Sequence, residues 1–277
     1  MKKSGKRIAY PFGRLKMDNP VTYGTPPYNV VLLHGGPGAQ GEMAPVAAVL
    51  GKEFGVLEPQ QTEDSISGQV EELKKAISEY GDIPVCLGGF SWGAWLGVMF
   101  SATYPEMVRK LILISSGAFH RSYTHTLFDT LINRLNWEEQ EELLDILDLL
   151  DTPDFPDKDA LLCRYGKLLQ KAETYRAIPH DRPPVKCSFE IFRSVWCEAE
   201  AFRNSGKLLE IAGKIKCPVV AIHGDYDPTP PEGIRETLFP LIPDFQFLLL
   251  EKCGHYPWYE SFARERFFSI MGEILRE

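Results

Sequence analysis

Apolar residues in this chain fall into two rhythms that take turns. Runs such as Val30-Val31-Leu32-Leu33, Leu111-Ile112-Leu113-Ile114 and Val219-Val220-Ala221-Ile222 are apolar without alternation. That pattern predicts short strands buried on both faces. Further runs of this kind stand at 54–57 and 245–250. Between them the spacing lengthens to that of helices, as with Val70, Leu73, Ile77 and Tyr80, behind Ser67 as the expected cap. A closing helix is expected from about 259 to 275. Buried strands that alternate with helices predict an α/β fold, a mostly parallel sheet with helices on both faces. Two short β-prone runs, 6–10 and 20–23, are separated by Pro11-Phe12-Gly13 and Asp18-Asn19-Pro20, and predict an antiparallel pair at a sheet edge.

The alternation stops near residue 118 and returns near 215. Helical segments are expected at 136–150, 158–172 and 188–204, the last closed by Gly206, with a proline-rich link at Pro179, Pro183 and Pro184. The predicted organisation is a core formed by 1–117 and 207–277, with 118–206 inserted as a helical cap. Such an insertion would stand over the C-terminal strand ends, where open α/β sheets place their sites. The stretch 138–159 is densely acidic, with Lys158 its only base, and reads as a solvated helix face.

Composition narrows the partners. The 277 residues are 44% hydrophobic with a formal net charge of -8, enough apolar content for a large core and the wrong sign for nucleic acid or an anionic membrane surface. No segment reaches membrane-spanning length. The basic start, Met1-Lys2-Lys3, meets Pro11 before any signal-type apolar stretch could form. Six cysteines without a C-x-x-C pair predict free thiols and a cytoplasmic location. No metal-ligand spacing or phosphate-binding glycine loop occurs, so neither metal nor cofactor is expected.

The chemistry concentrates in Pro84-Val85-Cys86-Leu87-Gly88-Gly89-Phe90-Ser91-Trp92-Gly93-Ala94, a strand, a glycine-flanked turn and an apolar helix with one serine at the apex. A serine hydroxyl becomes a nucleophile when a sharp turn thrusts it clear of the backbone and a base lies in reach. The turn brings strand and helix together, so positions two before and two after must be small, and Gly89 and Gly93 are. The bland alternative is a glycine-rich turn with a helix-capping serine. His34-Gly35-Gly36-Pro37-Gly38 follows the buried strand 29–33 and makes a rigid loop with exposed amides, suited to an oxyanion. Asp225 and Asp227 follow the strand 217–222, and His255 follows 245–250. Ser, Asp and His thus each stand past a strand end, in the chain order of α/β-hydrolases. His120, His125, His180 and His223 lack that context and read as surface or packing residues.

On these motifs the chain resembles the α/β-hydrolase superfamily over nearly its whole length, and the HGGPG loop with the G-F-S-W-G elbow is similar to the proline iminopeptidase-like group. The resemblance implies Ser91 as nucleophile, Asp227 as acid, His255 as base, the amides of Gly36 and Trp92 as oxyanion hole, and His34 as a brace for the loop. It implies a serine hydrolase without a cofactor, acting on a small-molecule ester, amide or short peptide. The loop Leu57-Glu58-Pro59-Gln60-Gln61-Thr62 lacks the Asp-Gln-Arg-Gly string of that group. Glu198 and Glu200, the candidates for reading a substrate's amino end, lie about 200° apart round a predicted helix and converge poorly, which leaves Glu198 alone, or Glu198 with Glu190 two turns earlier, for that task. The expected substrate is therefore a small or medium carboxylic ester or amide, with Phe90, Glu198 and Trp258 as substrate-binding candidates. Phe90, Trp92, Trp95, Tyr256 and Trp258 read equally well as pocket or as core. A proline iminopeptidase-type aminopeptidase and a non-catalytic ligand-binding protein of the same fold are the alternatives.

Overall fold

The structure is a computed structural model and describes residues 19–179 and 185–277. The first half carries β1 (Val21–Tyr23), β2 (Tyr28–Leu33), β3 (Ala39–Gln40), α1 (Ala44–Leu50), β4 (Gly55–Glu58), α2 (Ile66–Tyr80), β5 (Val85–Phe90), α3 (Trp92–Thr103) and β6 (Val108–Ile114). Then come α4 (Leu127–Ile132), α5 (Trp137–Asp151), α6 (Lys158–Glu173), β7 (Lys186–Cys187), α7 (Phe189–Ser205) and α8 (Lys207–Ala212). The chain closes with β8 (Val219–Gly224), α9 (Glu232–Leu238), β9 (Phe245–Leu250) and α10 (Arg264–Arg276). The main sheet runs β1-β4-β2-β5-β6-β8-β9, and all of its pairs are parallel except β1 with β4. The expected α/β-hydrolase architecture is the observed one.

The unalternating apolar strands follow from burial on both sides of this sheet. Successive side chains of a strand face opposite ways. Accordingly Val31, Leu33, Leu87, Leu111, Leu113 and Ala221 pack with residues of α2, α3, α8 and α9, while Val30, Leu32, Cys86, Ile112, Ile114 and Ile222 pack with α1 and α10. Each buried Val, Leu or Ile among them contributes roughly 1.5–3 kcal/mol by leaving water. Helix α3 is apolar all round because it is buried all round, from Trp92 to Ser101. A third apolar cluster, with Leu131, Leu143, Ile146, Leu150 and Leu168, lies among α4, α5 and α6. The acidic face of α5 is tied to α6 by the ion pairs Glu142 with Arg164 and Glu139 with Lys171.

Several local expectations are corrected. Helix α2 is capped by Ser65, whose hydroxyl accepts from Gly68 N, rather than by Ser67, and Tyr80 at its end is exposed. Strand β1 pairs with β4, and its expected partner 6–10 lies outside the described residues, as do His180, Pro183 and Pro184. The closing helix begins at Arg264, since Pro257–Tyr259 forms a separate 3₁₀ turn. The thiol expectation fails at one pair: Cys163 and Cys187 are joined, with their sulfurs 2.07 Å apart, while Cys86, Cys197, Cys217 and Cys253 are free. Among the described residues no helix is long and apolar enough to cross a membrane.

Candidate active site

Strand β5 delivers Ser91 to the turn before α3, where its φ of 52° lies in the left-handed region that a side chain rarely adopts. Such a residue costs on the order of 1–3 kcal/mol and persists only where its surroundings hold it. Here Ser91 N donates to Ile114 O at 3.0 Å and Ala94 N to Ser91 O at 3.1 Å. The flanking glycines are required sterically. A Cβ on Gly93 would stand 2.5 Å from Leu33 O and His34 O, and one on Gly89 would collide with the carbonyl of Gly93. The hydroxyl of Ser91 does not cap its own helix, which removes the bland reading of this serine.

The loop His34-Gly35-Gly36-Pro37-Gly38 passes beside this elbow and is tied down at His34, Gly35 and Gly36. Gly36 has φ 25° and its carbonyl accepts from Ala39 N at 2.9 Å. Gly35 N donates to Glu42 Oε2 at 3.0 Å. His34 is fully buried, with Nδ1 2.7 Å from Gly35 O and Nε2 3.0 Å from Gln60 O, and burial lowers its pKa. Gln61 spans the two halves of the expected oxyanion site: its Nε2 donates to His34 O at 3.1 Å, and its Oε1 accepts from Trp92 Nε1 at 3.0 Å. Gln61 is itself buried with φ 49°. The backbone amide of Trp92 stands in the first turn of α3, where helix amides lack an intrahelical partner.

Strand β8 and the loop after it carry Asp227, the expected acid. Asp227 Oδ1 accepts from Thr229 N at 2.8 Å, and its Oδ2 lies 2.6 Å from Nδ1 of His255. A carboxylate can only accept, so Nδ1 carries the proton and Nε2 is left to act as a base. Burial works against charge on Asp227, but the charges of His255 and His223 outweigh it and hold the carboxyl below its ordinary range. His223 was expected to be a packing or surface residue. It is buried, but Nε2 lies 3.8 Å from Asp227 Oδ2 and 2.8 Å from Thr229 O, so it helps shape the acid loop. Asp225 accepts from Cys253 N at 3.1 Å and ties that loop to the one carrying His255.

Two further carboxylates bear on His255 that the sequence did not single out. Glu42 follows the glycine loop, and Glu173 ends α6. Burial raises both of their pKa values, that of Glu42 to about 7, and the charge of His255 pulls against it in each case. Tyr256 donates a side-chain hydrogen bond to Glu173, whose backbone carbonyl accepts His255 N at 2.9 Å. For His255, burial disfavours the imidazolium, but the charges of Asp227 and Glu173, the bond to Asp227 and the charge of Glu42 prevail and lift its pKa to about 9. Glu42 could have been noticed from its place four residues past Gly38. The approach of Glu173 has no local signature.

The residues expected to bind substrate are engaged within the fold. Phe90 and Trp258 are buried core residues, 1% and 0% exposed, with ring centroids 4.8 Å apart. The ring of Phe90 also packs 4.9 Å from the imidazole of His255, so it backs that imidazole instead of facing solvent. Glu198 Oε2 accepts Ile66 N at 2.9 Å and serves the start of α2. Glu200 pairs with Arg203 on its own helix. Trp95 is buried as well, stacked on Trp196 at 5.9 Å. No group of three or more metal-ligating side chains occurs among the described residues.

The chain belongs to the alpha/beta hydrolase family, whose model matches residues 30–269. VinJ is similar in structure, with a TM-score of 0.64 at 18% identity over 92% of this chain and 93% of that one. A thermophilic esterase from Thermogutta terrifontis gives 0.61 at 19% identity over 93% and 92%. The thioesterase domain from the curacin biosynthetic pathway gives 0.58 at 20% over 92% and 94%. At these identities the likeness is one of fold. No curated protein sequence matches the chain.

Proposed function

We propose that the protein is a serine hydrolase that cleaves a carboxylic ester or amide by two-step acyl transfer. Ser91 attacks the carbonyl carbon as His255 Nε2 takes its proton, and the amides of Gly36 and Trp92 receive the oxyanion. His255 then protonates the leaving group, and water repeats the sequence to free the acid. Asp227 holds the imidazole in the required tautomer and stabilises its charge. The observation that carries this reading is the 2.6 Å contact of His255 with a buried carboxylate, on a fold that sets Ser91 at a strained strand-to-helix turn. An esterase, a thioesterase and a monoacylglycerol lipase among the structural neighbours are in keeping with it. The segment 118–206 serves as the cap, since it reaches both the glycine loop, through Ser188 N to Gly38 O, and His255, through Glu173 O.

A second reading, an aminopeptidase of the proline iminopeptidase type, gains support from Glu42 and Glu173. Two partly buried carboxylates near the base, from the core and from the cap, supply what an ammonium beside the scissile carbonyl needs to leave water. They take the place that Glu198 and Glu200 were expected to fill. Comparing kcat/KM for short-chain nitrophenyl esters and for aminoacyl arylamides, each repeated with Glu173→Gln, separates the two. Ester turnover that survives the substitution supports the first reading; arylamide turnover selectively lost with Glu173→Gln supports the second. Turnover of neither, together with no labelling by a fluorophosphonate, overturns both and leaves the non-catalytic binder.

A further inference from the structure

We propose that Cys163 and Cys187 form a redox-modifiable cross-link that fixes the glycine loop of the active site, so that reduction of this disulfide lowers turnover. The proposal rests on the hydrolase reading for its effect on rate, but its structural basis is independent of it.

Strand β7 is only two residues long and pairs antiparallel with β3, the two residues directly after Gly38, in the register Ala39 with Cys187 and Gln40 with Lys186. The contact continues one residue further on, where Ser188 N donates to Gly38 O at 3.0 Å. Gly38 has φ 78°, and a Cβ there would stand 2.5 Å from Ser188 O, so the two backbones touch with no room for a side chain. A two-residue ladder is too short to hold by its hydrogen bonds alone, which contribute about 1 kcal/mol each.

The disulfide supplies the missing constraint. Cys187 is bonded to Cys163 in α6, with a Cα–Cα separation of 5.7 Å. The same helix ends at Glu173, whose carbonyl receives the backbone amide of His255. One covalent bond therefore closes a circuit from the glycine loop through β7 and α6 to the loop of the catalytic base. Both cysteines are partly exposed, so a reductant can reach them. A dithiol reduces the bond by thiol–disulfide exchange: its thiolate attacks one sulfur, the second thiol resolves the mixed disulfide, and Cys163 and Cys187 leave as two thiols while the dithiol becomes a disulfide. In an oxidising compartment the clamp is closed, and in a reducing cytoplasm it opens. Once open, β7 is held to β3 by the short ladder and the Ser188 N–Gly38 O bond, without a covalent tie to α6, and the C-terminal end of the glycine loop is less firmly set. Small displacements of an oxyanion donor lower rate much more than they lower binding.

The test compares wild-type protein, oxidised or treated with dithiothreitol, with the Cys163→Ser/Cys187→Ser double variant. Turnover of a nitrophenyl ester and hydrogen exchange of the amides at 36–40 are read together. Reduction is expected to lower kcat roughly tenfold with little change in KM, to speed exchange at 36–40, and to have no effect on the double variant, which behaves like the reduced protein throughout. Equal kcat and equal exchange in the two redox states overturn the proposal, as does a double variant that still responds to dithiothreitol. If no ester is hydrolysed in either state, the hydrolase reading fails by itself, and the exchange data still decide whether the cross-link fixes the loop.

Discussion

Nδ1 of His255 and Oδ2 of Asp227 are 2.6 Å apart, and the carboxylate side chain is wholly buried. Asp225, two residues earlier, points to Cys253 N instead. The two aspartates therefore have different tasks, and substitution separates them. Asp227→Asn keeps the size but offers an amide where an acceptor is needed, and is expected to lower kcat by about 10³–10⁴ with the fold intact. Asp225→Asn is expected to lower stability by about 1 kcal/mol and kcat only slightly. Steady-state kinetics with a thermal melt on each variant checks this; a larger kcat loss for Asp225→Asn would reverse the roles.

The carboxylates around His255 set a pH profile. Its imidazole, lifted to about 9, must be neutral to accept the proton of Ser91, so kcat/KM for the free enzyme is expected to rise with pH through that region. Removing one of the charges that stabilise the imidazolium moves the limb to lower pH. Glu42→Gln and Glu173→Gln should each do so, as read from kcat/KM against pH. A limb that stays in place with both substitutions contradicts the electrostatic account.

Gln61 links Trp92 to His34 through one buried side chain. Gln61→Ala leaves the His34 carbonyl without this partner and the indole N–H with the oxygen of Gln69 at 3.2 Å alone, and the expected cost is about 1–3 kcal/mol of stability. Because it ties the start of the glycine loop, at His34, to the side chain of Trp92, kcat should fall more than tenfold while KM changes little. An unchanged kcat beside the stability loss would mean that Gln61 supports only the fold.

At the elbow, Gly89→Ala tests packing alone. Its methyl group has to displace the carbonyl of Gly93, which is held in the first turn of α3. A loss of about 2–4 kcal/mol is expected in chemical denaturation. A variant as stable as the parent would show that strand and helix do not meet as described.

What the sequence made legible was local. Apolar runs of four to six residues without alternation, bounded by turn residues, have the length and pattern of strands covered on both faces, and Gly89 and Gly93 announced a close strand–helix approach in five residues. Contacts between distant segments left no such mark. Cys163 and Cys187 are 24 residues apart on either side of a proline-rich link, and no spacing rule joins them. Glu42, just after β3, and Glu173, at the end of α6, both bear on His255, though more than eighty residues separate each of them from it. Glu198 looked like a site residue from its helix, but helix α2 needed an acceptor for Ile66 N and took it. Phe90 and Trp258 were apolar and close to the motifs, which describes core and pocket equally well until burial is measured.

The central claim is that Ser91 is an activated nucleophile. It is tested most directly by incubating the protein with a fluorophosphonate and locating the adduct by peptide mass spectrometry. One adduct per chain on Ser91, absent from Ser91→Ala and slowed strongly in Asp227→Asn, is the predicted result. No adduct, or one on another residue that persists in Ser91→Ala, would contradict it.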